Sequence, residues 1–423
     1  MSGIAGLFRL PSDTASEGRR SVEVPRVMKT AVIAFNFPEL SETFVLRHIQ
    51  AFSADVICQE FRPKLLTSRE GIGNIEHLSE PRELHKGIIP RLISRACWHA
   101  KRLARPDSVF AWDRDMRLLW TRYLDSYRPD VVLAEFAPNA LGALPASLER
   151  GIPLVAHFHG YDASTLMRFA AYRRALPRMF QEAAAIICVS TQMRDVLVSA
   201  GCSAEKLHVI PCGAPVSEFK FSDRTGSQPC RFIAVSRLVP GKGTMTTLRA
   251  FHLTHLNRPG VRLIVAGDGP MRREMTSYVR KHSLDRAVSM VGAVPNREVR
   301  RLLATSSAFV QASLRDKNGA VEGAPVALAE ALATGLPAVV SRCGGMADLV
   351  AEGCNGFLFE QGDWRMMAER MLHLADDPAL RLRMGRAARE RIEEAGSTEK
   401  NIEVLRAVLR QAAACGGPQA SRI

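Results

Sequence analysis

The chain has 423 residues, of which 47% are hydrophobic and 24% charged; that is room for two domains with substantial cores, and it excludes wholesale disorder. No uninterrupted apolar stretch approaches a membrane span, and the N-terminus MSGIAGLFRLPSDTASEGRR lacks the basic start and long apolar centre of a signal peptide. Nine cysteines without a CxxC pair speak for reduced thiols in a cytoplasmic protein and against a disulfide framework or zinc site, while a net charge of +14 fits nucleic acid, anionic lipid or phosphorylated ligands without choosing among them.

Residues 1–27 have no periodicity and read as a flexible extension. Lys29 to Phe35 is a buried strand, followed by a loop carrying Glu39, Ser41 and Glu42, with Ser41 as N-cap of an amphipathic helix through Phe52. Lys86 to Arg105, KGIIPRLISRACWHAKRLAR, has six cations, no acid, and apolar residues at helical spacing. Such a helix suits an anionic membrane surface, and it equally suits packing on the first sheet. Asp113-Arg-Asp115 lies in a helical stretch rather than at a strand end, so no metal site is expected there.

Strand-like runs at Ala54–Cys58, Asp130–Ala134, Pro153–Phe158, Ala185–Val189 and Leu207–Ile210 alternate with helical patterns, the sign of a parallel sheet. The loop His157-Phe-His159-Gly-Tyr-Asp162 follows one of them. From Pro211 to Pro229 the pattern breaks into a Gly-, Pro- and Ser-rich link, and a second βα series opens with the strand Arg231–Ser236. Its loop, Arg237 to Thr244, sets Arg237 and Lys242 beside glycines ahead of a helix, as a phosphate cradle requires. Gly267-Asp-Gly-Pro270 after the strand Val261–Ala266 lacks the third glycine and the later acid of a dinucleotide fingerprint. Val288–Gly292 is a further strand, and Trp364–Leu374, Pro378–Glu394 and Thr398–Ala413 are helices.

The densest signal is residues 307–350. A strand, Ala308–Ala312, leads through a polar loop to a helix with Pro325 at its first position, Gly335 as its stop and Pro337 beyond, after which another strand begins at Ala338. Glu322 then sits just outside the helix N-terminus and Glu330 in its second turn, flanking the unpaired N–H groups of Gly323, Ala324 and Val326 around Pro325, which has none, and an anion binds well there. Carboxylate oxygens there accept hydrogen bonds from vicinal sugar hydroxyls.

This stretch, Glu322-Gly-Ala-Pro-Val-Ala-Leu-Ala-Glu330 followed by Gly344-Gly345, resembles the signature of retaining GT-B glycosyltransferases of family 4, with Asp348 where that family more often has Glu. Phe37-Pro-x-x-Ser-Glu-Thr-Phe44 is similar to the first loop of its exopolysaccharide members, those of colanic acid and amylovoran assembly. The resemblance implies an α/β GT-B fold: two facing doubly wound Rossmann-like domains, 28–215 for the acceptor and 230–395 for the nucleotide sugar, joined by a linker 216–229, with residues 396–423 crossing back to the first. It implies that Glu330 binds the ribose, Glu322 and His159 the transferred sugar, and Arg237 and Lys242 the diphosphate. Backbone at Gly292 and Val294 would meet the base, Asp162 would orient His159 or meet the acceptor, and Glu39 and Ser41 would belong to the substrate-binding residues with no particular role assigned. The expected enzyme is a retaining, metal-independent hexosyltransferase without a cofactor, acting on a polyprenyl-diphosphate-linked saccharide at the cytoplasmic membrane face. A nucleotide-sugar epimerase or glycan phosphorylase of the same fold is the alternative; the absence of a recognisable reading module argues against nucleic acid.

Overall fold

The central apolar runs become strands buried on both faces. The computed structural model describes residues 28–37, 43–61, 68–77, 114–222, 229–317, 319–323 and 325–415. Glu39, Ser41, Glu42, Asp113, Ala324, the extension 1–27 and the basic segment 86–105 lie outside those residues.

In the first domain β1 (Thr30–Phe37), β2 (Asp55–Phe61), β3 (Ile75–His77), β4 (Val131–Glu135), β5 (Leu154–Phe158), β6 (Ala185–Cys188) and β7 (Leu207–Val209) make one parallel sheet, ordered β3-β2-β1-β4-β5-β6-β7. Every residue of β4 and β5 is buried, as happens when helices cover both faces. Those helices are α1 (Thr43–Phe52), α2 (Arg114–Tyr127), α3 (Ala137–Glu149), α4 (Ala170–Glu182) and α5 (Thr191–Ser199). Asp115 is therefore on a helix, not at a strand end.

The second sheet, also parallel, runs β10-β9-β8-β11-β12-β13 through β8 (Arg231–Val235), β9 (Arg262–Ala266), β10 (Val288–Gly292), β11 (Ala308–Gln311), β12 (Ala338–Ser341) and β13 (Gly356–Phe359). Its helices are α6 (Thr244–Asn257), α7 (Arg272–Lys281), α8 (Asn296–Ala304), α9 (Val326–Ala333), α10 (Met346–Leu349), α11 (Trp364–Asp376) and α12 (Pro378–Ala395). Strand alternation divides the core. Phe232 joins Leu248, Phe251, Met367 and Met371 on one face, while its neighbour Ile233 joins Leu328, Leu332 and Ile392 on the other. Side chains of Asp363 and Asp377 cap α11 and α12 by accepting from Met366 and Leu380 N–H, which is why both helices start where the sequence suggests.

The crossing between domains differs from the expected linker. It is made at residues 211–214, where Ala214 pairs with Ser397 and Thr398 Oγ1 donates to the Cys212 carbonyl at 3.2 Å. Phe219, inside the expected linker, is already buried in the second domain's core, so the described part of 216–229 is packed rather than free. The last helix, α13 (Thr398–Cys415), returns to the first domain and seats Leu405, Val408 and Leu409 in its core. Two strands, β3 and β13, were not anticipated, and α9 begins at Val326, with Pro325 just before it.

Candidate active site

In each sheet the connection reverses direction between neighbouring strands, β1 and β4 in one and β8 and β11 in the other, and the carboxyl-end crevices there are where open α/β sheets take ligands. The loop after β11 meets the first domain at the loop after β5, next to its switch point. Gly323, before α9, lies so close to the His159–Gly160 loop after β5 that a Cβ on it would stand 1.9 Å from the His159 carbonyl oxygen. Val321 N–H donates to Ser164 Oγ at 3.4 Å, and Thr191 at the start of α5 gives its N–H to Asp348 Oδ2 at 2.8 Å and its hydroxyl to Oδ1. The cleft is thus closed around the Glu322–Gly323 turn.

On the second domain, Lys242 and Gly243 end the loop after β8. Gly243 has φ +59° and packs on the Ala312 carbonyl, 1.7 Å from where a Cβ would be, so only glycine lets the loop seat on β11. That seating brings Lys242 Nζ onto Glu322 Oε2 in an ion pair. Gln311 Nε2 and Ser313 Oγ, both buried, donate to the same oxygen at 3.2 Å each. Arg237 is exposed, and among the described residues no acid pairs with it. The Gly323 N–H has no acceptor among the described residues, and the first-turn amides of α9 open beside it.

Glu330 faces another part of the cleft. It is 5% exposed, no described residue hydrogen-bonds its carboxylate, and burial pushes its pKa up to about 7 against the opposing pull of Arg47. Arg47, on α1, has a buried Nη1 without a hydrogen-bond partner and brings a first-domain cation to this side. Sequence reasoning missed it, because nothing in the α1 pattern distinguishes it from a solvated helix cation. Gly292 closes its strand with φ +77° and accepts from Gly267 N–H at 2.7 Å, while Val294 packs against the apolar cluster that α9 also enters.

Two further expected residues are held by contacts within the first domain. The His159 imidazole is tied to Glu135 Oε2 through Nε2 at 2.6 Å and sits against Phe44 and Phe136 with ring centroids 4.5 and 4.7 Å away. Burial, with the neighbouring His157, lowers its pKa to about 3. Its backbone, not its ring, abuts the Glu322–Gly323 turn. Asp162 is fully buried and accepts the N–H groups of Ala137, His159, Gly160 and Ala163 at 3.0–3.1 Å. It builds the loop and holds the His159 backbone in place, the first of the two roles expected of it; burial raises its pKa.

Beneath that loop lies a buried knot the sequence did not announce: His48 Nδ1 is 2.7 Å from Glu135 Oε1, and His157 Nδ1 is 3.1 Å from Glu135 Oε2. Burial by itself would raise the Glu135 pKa, but His157, His48 and the imidazole contacts outweigh it and hold the carboxyl well below its usual range.

Two doubly wound domains closed on a cleft that holds a cation loop, a Lys-paired carboxylate and a second buried carboxylate define a GT-B glycosyltransferase. Residues 52–218 match the family model described as Glycosyltransferase Family 4, and residues 216–391 match that of Glycosyl transferases group 1. The chain belongs to these glycosyltransferases. Amylovoran biosynthesis glycosyltransferase AmsK of Erwinia amylovora is 26% identical over 389 residues, 86% of this chain and 95% of the relative. The putative colanic acid biosynthesis glycosyltransferase WcaL of Salmonella typhimurium is 27% identical over 375 residues, 81% of this chain and 90% of the relative. Among solved structures, Anabaena Alr3699/HepE in complex with UDP has a TM-score of 0.71 at 20% identity, covering 90% of this chain and all (100%) of that one. Sucrose-phosphate synthase from Thermosynechococcus elongatus has a TM-score of 0.72 at 15% identity, covering 92% and 100%.

Proposed function

We propose that this chain is a retaining glycosyltransferase that moves a sugar from a nucleotide-sugar donor to a lipid-linked saccharide during exopolysaccharide assembly. The observation that carries the reading is the Lys242–Glu322 pair at the mouth of α9 with Glu330 one helical turn further in. In this reading the diphosphate takes Lys242 and Arg237 as its cations and the free amides at Gly323 and the start of α9 as donors. Losing Lys242 to phosphate frees Glu322 to accept hydroxyls of the sugar, while Glu330 takes the ribose diol. Gln311 and Ser313 keep Glu322 oriented as a hydrogen-bond acceptor rather than a nucleophile. The diphosphate then leaves on the face the acceptor enters and receives the acceptor's proton, and the cations do the charge stabilisation that a metal would otherwise supply.

The relatives named for amylovoran and colanic acid biosynthesis support the pathway, and the HepE complexes with UDP and with UDP-glucose support a uridine nucleotide as the first donor to try. A lipid-linked acceptor would keep the enzyme at a membrane surface, with the basic segment 86–105 as the contact; no helix among the described residues is long and apolar enough to cross a membrane. A thermal-shift panel of UDP-, GDP- and ADP-sugars tests the donor, since a ligand of the folded state raises Tm. One donor should raise Tm, and its transfer to a polyprenyl-diphosphate-linked saccharide should keep the anomeric configuration. No shift with any donor would remove the donor reading, and an inverted product the retaining one. Sedimentation with anionic vesicles at low salt should exceed that with neutral vesicles, and changing Arg91, Arg95, Lys101 and Arg102 to Glu should abolish the difference; unchanged pelleting would remove the membrane contact.

A further inference from the structure

We propose that His48, Glu135 and His157 form a site for one divalent transition-metal ion of the zinc or cobalt kind, which staples α1 to the carboxyl ends of β4 and β5. One donor atom from each residue lies within 4.8 Å of the others. The three side chains are 7%, 0% and 1% exposed, so the site is enclosed and does not reach substrate. Two imidazoles and a carboxylate are three of the four ligands that zinc and its neighbours take, a water being the fourth, whereas magnesium and calcium take oxygen ligands throughout.

Two observations go unexplained by hydrogen bonding among the three. Among the described residues neither ring nitrogen of the buried His157 makes a well-aligned hydrogen bond, although its Nδ1 stands 3.1 Å from Glu135 Oε2. Among the described residues, the ion-pair partners of the buried Glu135 carboxylate are imidazoles, with no Lys or Arg among them. A metal ion between these atoms supplies the positive charge and takes the bare His157 nitrogen. Zinc at ~2.0–2.2 Å from each ligand sets neighbouring ligand atoms roughly 3.3 Å apart. His48 Nδ1 stands 2.7 Å from Glu135 Oε1 and His157 Nδ1 3.1 Å from Oε2, so these contacts lengthen by roughly 0.6 and 0.2 Å, and the three donor atoms, all within 4.8 Å of one another, are drawn together by side-chain rotation. His159 completes the arrangement: Nε2 on Glu135 Oε2 at 2.6 Å is the outer hydrogen bond that fixes a metal-bound carboxylate. The ion is structural. It fixes α1, which carries Arg47, and through His159 the loop against Gly323.

The full chain, unfolded with chelator and refolded metal-free, is titrated with Co2+. The expected result is one cobalt per chain, with the visible absorption of cobalt in a low-symmetry nitrogen and oxygen site, displacement by Zn2+, and a raised Tm. Glu135→Gln and His157→Gln should abolish it, with His48→Gln standing in if either fails to fold. His159→Gln should weaken binding about 10–100-fold. A His252→Ala/His282→Ala variant, which removes the other close imidazole pair with centroids 4.6 Å apart, should bind as the parent does. The site is refuted if the parent takes up no stoichiometric cobalt, as when a proton on His157 supplies the charge instead. It is equally refuted if the cobalt spectrum survives both Glu135→Gln and His157→Gln, or vanishes with the His252/His282 change.

Discussion

At the scale of single residues, two carboxylates on one short stretch have opposite surroundings. Glu322 is met by a lysine, an amide and a hydroxyl; Glu330 is buried without a hydrogen-bond donor among the described residues. Because the folded pKa of Glu330, about 7, stands above the unfolded value of 4.5, its contribution to stability is intact below pH 4.5 and is lost as pH rises through 7. Glu330→Gln should therefore unfold like the parent at pH 4 and be more stable at pH 8, by on the order of 3 kcal/mol, in denaturant titrations at the two pH values. Equal stability at pH 8 would mean the carboxylate is solvated. Arg237→Ala and Lys242→Ala should each cost about 2.7–4 kcal/mol of transition-state stabilisation in steady-state kinetics while leaving Tm within a few degrees. The acids were readable in the sequence because they stand on one contiguous signature, and the cations because they flank the glycines of one short loop ahead of a helix. Glu135, His48 and His157 were not, since His48 and Glu135 are 87 positions apart and only the β1-β4-β5 adjacency brings them together.

At the scale of elements, the long apolar runs and the helices from Trp364 and Pro378 were readable in advance, and the misses have physical causes. β3 is three residues, Ile-Glu-His, too short to show alternation, and β13 is four residues opened by a glycine. Asp162 reads in sequence like an exposed loop acid; its burial depends on four backbone N–H groups that only the folded loop presents. The contact of Gly323 with the His159 carbonyl carries a further expectation. Gly323→Ala adds one methyl group in a place that only the other domain fills, so each domain should fold while kcat/KM falls by about a hundredfold, the scale of a 1 Å displacement at a reacting centre. Unaltered kinetics with native circular dichroism would show that the loops part in the working enzyme.

At the scale of the whole molecule, the domains are joined twice covalently, at 211–214 and 396–398, and held at the cleft by the Asp348 clasp on Thr191. The clasp is exposed, so it biases closure only modestly. Asp348→Ala should open the cleft, seen as a larger radius of gyration without nucleotide, and raise the donor KM about fivefold at unchanged kcat. An unchanged radius and KM would make the clasp incidental.

The central claim is that a nucleotide sugar is held between Lys242 and Glu330. Calorimetric titration of the parent and Glu330→Gln with UDP, GDP and ADP addresses it directly. One nucleotide should bind the parent, and the amide should weaken that binding by about 1.5–3 kcal/mol, the worth of a hydrogen bond to a charged group. Equal affinity in the two proteins, or no binding of any nucleotide to the parent, would contradict it.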